Sequence, residues 1–226
     1  MKTHFEHLLD IIPDLKKRRI LDLGSGKGSF LIQCAQNDAI AKGIELNSGY
    51  IETSIKRASD TGVNVDVIQG IGEELPFKEK EFDFVNLCEV IEHVSNPGKM
   101  LEEVYRVLEK GGLVYVSVPN RFGIKDQHFN LYFVNWLPRS ASDIFISFFG
   151  KHKDYNGGTG HQRLSQMHYF TFRGASKIFV ENGFNVEDIR LVKIKKYKGL
   201  RYYLAYWVYI ILRPWYFDSF HFLLKK

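Results

Sequence analysis

Arg19-Ile20-Leu21-Asp22-Leu23-Gly24-Ser25-Gly26-Lys27-Gly28 opens the regular part of this 226-residue chain. An apolar run that breaks into glycines reads as a buried parallel strand followed by a tight loop. Glycines at that point let the backbone turn sharply and approach a ligand with no Cβ in the way. Ser29 to Gln36 then reads as a helix. Its unpaired N–H groups and positive dipole end would point at the same place.

The segments downstream repeat the alternation. Ile40 to Leu46 reads as a second strand, Tyr50 to Ala58 as a helix, and the β-branched Val63 to Ile68 as a third strand. Phe82 to Leu87 is a fourth. Pro97 to Leu108 follows as a helix, with Pro97 in its first turn and Gly111-Gly112 past its end. Leu113 to Val118 is a fifth strand, stopped by Pro119. Alternating strands and helices imply a doubly wound parallel α/β sheet with right-handed crossovers. From residue 121 to 168 the regularity breaks, and an insertion of that length is expected to act as a lid or binding element. Phe172 to Glu181 resumes as a helix and Phe184 to Ile194 as a strand. The expected domain spans residues 1–198, and 199–226 form an aromatic, basic extension.

Glu45 lies 21 residues after Gly24. An acid about 20 residues beyond the loop, at the end of the second strand, can take both hydroxyls of a ribose. Dinucleotide sites want G-x-G-x-x-G, whereas here the glycines are spaced G-x-G-x-G and Ser29 stands at the sixth position. Asp22 would repel a pyrophosphate but could hold an amino-acid ammonium. These residues favour S-adenosylmethionine over a nicotinamide cofactor and count against an oxidoreductase.

Residues 20–28 resemble the first motif of the class I S-adenosylmethionine-dependent methyltransferases. Three further segments resemble the same family in the same order: Glu73-Glu74-Leu75-Pro76-Phe77, Glu89-Val90-Ile91-Glu92-His93-Val94, and Leu101 to Gly112. The likeness implies a Rossmann-like, seven-stranded sheet whose last strand is antiparallel. It implies that Asp22, Gly24, Ser25, Gly26 and Gly28 surround the methionine moiety. Glu45, with Leu46 beside it, would serve the ribose. Ile71, Gly72 and Glu73 would border the adenine, and Cys88 and Glu89 would complete the cofactor site. Relatives usually carry an acid where Ile71 stands. Here Ile71 is expected to pack on the adenine ring, with the backbone N–H of Gly72 reading its edge.

Transfer to an oxygen usually needs a base. His93, just past the fourth strand, is the best placed candidate, because strand carboxyl ends face the crevice in such folds. His128, His161 and His168 lie in the insertion. Glu92 reads as an exposed carboxylate and Cys88 as a small buried residue. Two cysteines, Cys34 and Cys88, supply no disulfide framework and no metal-ligand spacing, so no metal is expected and a reducing cytoplasm fits. Met1 to Arg19 carries no signal-peptide core.

The net charge of +5 is uneven: from Lys193 to Lys226 eight Lys or Arg face one acid, Asp218. These cations bracket Tyr202 to Leu212, an 11-residue apolar and aromatic run too short to span a bilayer as a helix. The run reads as a peripheral anchor on the inner face of a membrane, as a wall for a lipid-like acceptor, or as part of a last core strand. The expected acceptor is a small or lipid-linked hydroxyl compound, with Phe129, Tyr132, Phe133 and Trp136 lining its pocket. Nucleic acid is not an expected partner, since Cys88-Glu89-Val90-Ile91-Glu92 stands where amino-methylating DNA enzymes carry an Asn/Asp-Pro-Pro-aromatic segment. The alternative of another class is a non-catalytic, cofactor-binding or membrane-associated scaffold.

Overall fold

Thr3 begins the described chain with a reciprocal cap. Its hydroxyl accepts from the backbone N–H of Glu6, and the Glu6 carboxylate accepts from the backbone N–H of Thr3. This starts α1 (His4–Ile11), a helix that the sequence pattern does not announce. The computed structural model describes residues 3–149 and 162–226; His161 and Asn156 to Gly160 lie outside them.

β1 (Arg19–Leu23), α2 (Ser29–Gln36), β2 (Ile40–Glu45), α3 (Ser48–Asp60) and β3 (Asp66–Gln69) alternate as expected. A loop leads to β4 (Phe82–Cys88), followed by α4 (Pro97–Val107) and β5 (Leu108–Pro119). The insertion holds α5 (Arg139–Phe148) between two short 3-10 turns. Then come α6 (Phe172–Glu181), β6 (Asn185–Asp188), α7 (Ile189–Ile194), α8 (Leu200–Leu212) and β7 (Ser219–Lys225).

The seven strands form one sheet in the order β3-β2-β1-β4-β5-β7-β6. β1 to β5 pair in parallel, and β7 runs antiparallel to both β5 and β6. The chain winds outward from β1 to β3, then returns to the other side of β1 for β4. The carboxyl ends of β1 and β4 therefore flank the switch point, where ligands bind in open α/β sheets. Side chains alternate across the sheet: Leu21 and Val85 join Met100, Leu101, Val104 and Val107 of α4 on one face. Ile20 and Phe84 join Leu8 of α1 and Phe30, Leu31 and Cys34 of α2 on the other.

Three expectations are corrected. The run from Phe184 to Ile194 is not one strand, because the Asp188 carboxylate accepts from the backbone N–H of Arg190 and Leu191 and so caps α7. β5 starts earlier than expected and carries Gly111-Gly112 within it. Residues 199–226 are no appendage: β7 lies between β5 and β6, and its Phe220, Phe222 and Leu224 are buried in the core. The strand is apolar on alternate residues, and the basic residues beside it in the sequence mask that pattern.

Candidate functional site

The carboxyl ends of β1, β2 and β4, with the loop after β3, wall a cleft of about 730 Å³. Gly24 lets the first loop approach the cleft, and Gly28 lets its end pack on α3. Their φ angles are +65° and +74°, and an added Cβ would sit 2.6 Å from Val90 Cγ2 or 2.0 Å from Ser54 Oγ. Only glycine combines that backbone with that crowding.

Glu45 lines the cleft at the end of β2. Its Oε2 accepts from the backbone N–H of Gly26 at 2.8 Å, and its Oε1 accepts from that of Asn47 at 2.9 Å. An ionised carboxylate has about four lone-pair sites. Two are spent on orientation, and the remainder can serve vicinal hydroxyls. Gly24, Gly26, Leu46, Ile71, Gly72 and Glu89 also line the cleft. Ile71 and Leu46 are about half exposed, so each offers an apolar surface to a ring. Glu89 leaves β4 with a left-handed φ of 55°, which costs a non-glycine residue energy and turns the chain into the cleft.

Other expected contacts sit behind the wall. Asp22 is buried at the base of the loop, where its Oδ1 accepts from Asn86 Nδ2 at 2.7 Å. Burial pushes its carboxyl up to about 7, against the Asn86 hydrogen bond and aided by the nearby Glu45 charge. Cys88 donates to Asn86 Oδ1 at 3.3 Å; burial raises its thiol far above the usual range, so it is no nucleophile. Ser25 and Gly28 are likewise set back from the cleft surface. The buried Ser25 Oγ has no hydrogen-bond partner among the described residues. Glu73 borders the cleft, but its Oε1 accepts from the backbone N–H of Ser95 and Asn96 at 2.7 and 3.1 Å and so holds that loop.

The second half of the site comes from the insertion. His93 Nδ1 lies 2.7 Å from Gln162 Oε1, and the backbone N–H of His168 donates to the Glu92 carbonyl at 2.9 Å. These contacts bring His93, Gln162, Gln166 and His168 to one wall of the cleft. Glu92 is fully buried, contrary to the exposed position expected, and neither carboxylate oxygen accepts a hydrogen bond among the described residues. His128 is set behind it. Its Nδ1 lies 2.7 Å from Tyr169 Oη, which itself donates to Asp126 Oδ2 at 2.6 Å. His128 Nδ1 is therefore the donor to Tyr169, and its Nε2 lies 3.4 Å from Glu92 Oε1. His93 Nδ1 donates to Gln162 in the same way, and its Nε2 lies 3.8 Å from that oxygen. Burial lowers the pKa of His93, partly offset by the Glu92 charge, which favours the neutral imidazole.

Ligand atoms of Glu92, His93 and His128 all lie within 4.8 Å of one another. They could hold a divalent cation: metal–ligand bonds of about 2.1 Å in a tetrahedral site put ligand atoms roughly 3.4 Å apart. Cysteine spacing carries no trace of this group, because the fold assembles it from the loop after β4 and the insertion.

The acceptor pocket expected from aromatic residues is also corrected. Phe129 is buried with Val134, Ile146, Leu164 and Met167 in a small core inside the insertion. Tyr132, Phe133 and Trp136 face outward, and none of the four lines the cleft. Tyr50, Gln162 and Gln166 do line it and carry no motif that a sequence reading could have caught.

Comparison with known proteins places the fold and the sequence motifs in one family. Residues 21–116 match the family model described as a methyltransferase domain. Over 163 residues the chain is 30% identical to a ubiquinone biosynthesis O-methyltransferase of Pseudomonas fluorescens, covering 63% of this chain and 68% of that one. A protein of the same name from Azorhizobium caulinodans is 34% identical over 150 residues, covering 64% of this chain and 59% of that one. The chain spans 59%, 52% and 48% of the length of the first three curated relatives it matches. An S-adenosylmethionine-dependent methyltransferase of Mesorhizobium loti shares the fold, with a TM-score of 0.64 at 14% identity over 98% of this chain and 96% of that one.

Proposed function

Because the chain belongs to the class I S-adenosylmethionine-dependent methyltransferase family, we propose that it methylates an oxygen of a small or lipid-linked acceptor. The observation that carries this reading is His93. It stands at the wall of the cleft, with Nδ1 tied to Gln162 and Nε2 turned towards the buried Glu92.

The cleft suits the cofactor on two grounds: Gly24 lines it with no room for a Cβ, and Glu45 is pre-oriented with spare lone pairs. When bound, S-adenosylmethionine would supply a methyl group on a sulfonium sulfur, an electrophile for the acceptor oxygen. Glu45 would accept from the ribose hydroxyls, and Ile71 and Leu46 would cover the flat ring. His93 takes the acceptor proton on Nε2, and Glu92 offsets the charge that the imidazole gains. Gln162 and His168 fix the wall and help exclude water. Holding the acceptor in line with the methyl group supplies much of the rate.

The names of the relatives, ubiquinone biosynthesis O-methyltransferases, support an oxygen acceptor. The test is methyl transfer by purified chain to a panel of catechols, quinols and membrane-extracted lipids. Formation of S-adenosylhomocysteine with a hydroxyl compound supports the reading. Cofactor binding with no turnover on any acceptor would instead favour the scaffold alternative.

A second reading concerns the same cluster. Glu92 has two buried oxygens with no hydrogen-bond donor among the described residues, and His93 Nε2 and His128 Nε2 lie 3.8 and 3.4 Å from its Oε1. A divalent cation there would orient the acceptor oxygen and lower its pKa, a task otherwise left to His93.

A further inference from the structure

Helix α8 carries its apolar stripe on the wrong side for a helix that merely packs on a core. Leu200, Tyr203, Leu204, Trp207, Val208 and Ile211 recur at helical-face spacing, and all six are exposed, from 46% for Val208 to 83% for Leu200. A surface helix normally turns such a stripe inward. Here the inner face is held by polar chemistry: Tyr209, the one buried residue of the helix, donates its hydroxyl to Asp188 Oδ2 at 2.6 Å.

The stripe continues past the helix. Trp215 and Tyr216 are exposed, and the backbone N–H of Ile124 donates to the Trp215 carbonyl. Ile124 in turn accepts from the N–H of Phe133, and Trp136 Nε1 donates to the Phe122 carbonyl. One outward aromatic surface therefore joins α8 to the insertion that carries His128.

Charge identifies what this surface meets. Lys193, Lys195, Lys196, Lys198 and Arg201 precede or open the helix, all exposed, and no acid lies between Lys193 and Phe217. A second copy of the chain paired across a two-fold axis would bring this basic, acid-free face against itself. Anionic phosphates above an apolar layer supply both complements. Tyr and Trp beside Lys and Arg suit the headgroup level. No helix among the described residues is long and apolar enough to cross a membrane. We propose that α8 lies flat on an anionic lipid bilayer, stripe down, with the Lys193–Arg201 segment on the headgroups.

The proposal is independent of turnover and is tested without cofactor. The full chain is floated with phosphatidylcholine vesicles containing or lacking phosphatidylglycerol. Variants are Trp207→Glu with Leu204→Glu, and Lys195→Glu with Lys196→Glu and Lys198→Glu. The expected result is binding to the anionic vesicles, at least tenfold weaker for each variant set, and loss in high salt. All positions are exposed, and unchanged thermal unfolding verifies that the variants fold. Equal binding by wild type and variants, or no vesicle binding, would overturn it. A concentration-dependent dimer that the α8 variants abolish, without vesicle binding, would assign the face to a second copy.

Discussion

His128 Nε2 stands 3.4 Å from Glu92 Oε1, although β5 and the start of the insertion separate them in the chain. With His93 Nε2 at 3.8 Å from the same oxygen, the three form one cluster beside the cleft. If a divalent cation belongs there, Zn2+ or Mn2+ at one hundred times its Kd should stabilise the chain by about 2.7 kcal/mol. Glu92→Gln should remove the effect. Scanning calorimetry with and without metal, and after chelation, measures it. No shift with any divalent ion, and no change in turnover on chelation, would leave the cluster to protons alone.

The base role of His93 has a separate signature. His93→Ala should lower kcat by about 10²–10⁴ and leave S-adenosylhomocysteine affinity unchanged, because the imidazole acts on the acceptor. Burial holds its pKa below the usual value. Activity should therefore be level above neutrality and fall on an acid limb below about 6.5. Tyr169→Phe, which removes one hydrogen-bond partner of His128, should cost less and move that limb. A variant as active as wild type would remove His93 from the mechanism.

Asp22 makes the stability of the ligand-free chain depend on pH. Its folded pKa of about 7 lies above the value of 3.8 expected when exposed. The folded state therefore keeps a proton that the unfolded state has lost. The stabilisation is fully present below 3.8 and disappears as pH rises through 7. Between pH 5 and 7.5, urea unfolding should show wild type losing up to about 3 kcal/mol relative to Asp22→Asn. Parallel curves for the two proteins would show that the buried carboxyl ionises without penalty.

Much of this was legible beforehand because the evidence is local. Asp22, Gly24 and Glu45 sit in a strand–loop–helix–strand unit whose periods and glycines are short-range signals. The fold also placed β7 between β5 and β6, which no local pattern announces: Ser219–Lys225 is seven residues long and basic at its end. Glu92 misled for a related reason. A carboxylate three residues past an exposed Glu89 reads as solvated, and only the return of His168 N–H onto its carbonyl, with His128 beside it, seals it in. Gln162 and Gln166 reach the cleft from far along the chain and leave no periodic trace.

Gly28 supplies a purely structural test. Its left-handed φ and the 2.0 Å approach of an added Cβ to Ser54 Oγ forbid a side chain. Gly28→Ala should destabilise the chain by about 1–3 kcal/mol and weaken cofactor binding by shifting the loop. An unchanged denaturation midpoint would mean that the loop relaxes at no cost.

The central claim is that this cleft binds the cofactor through Glu45, and calorimetric titration with S-adenosylhomocysteine, with NAD alongside, tests it most directly. Wild type should bind the homocysteine compound and not NAD, and Glu45→Ala should bind at least tenfold more weakly, as expected for two charge-assisted hydrogen bonds lost. Binding of NAD instead, no binding by a folded chain, or full affinity in Glu45→Ala would contradict it.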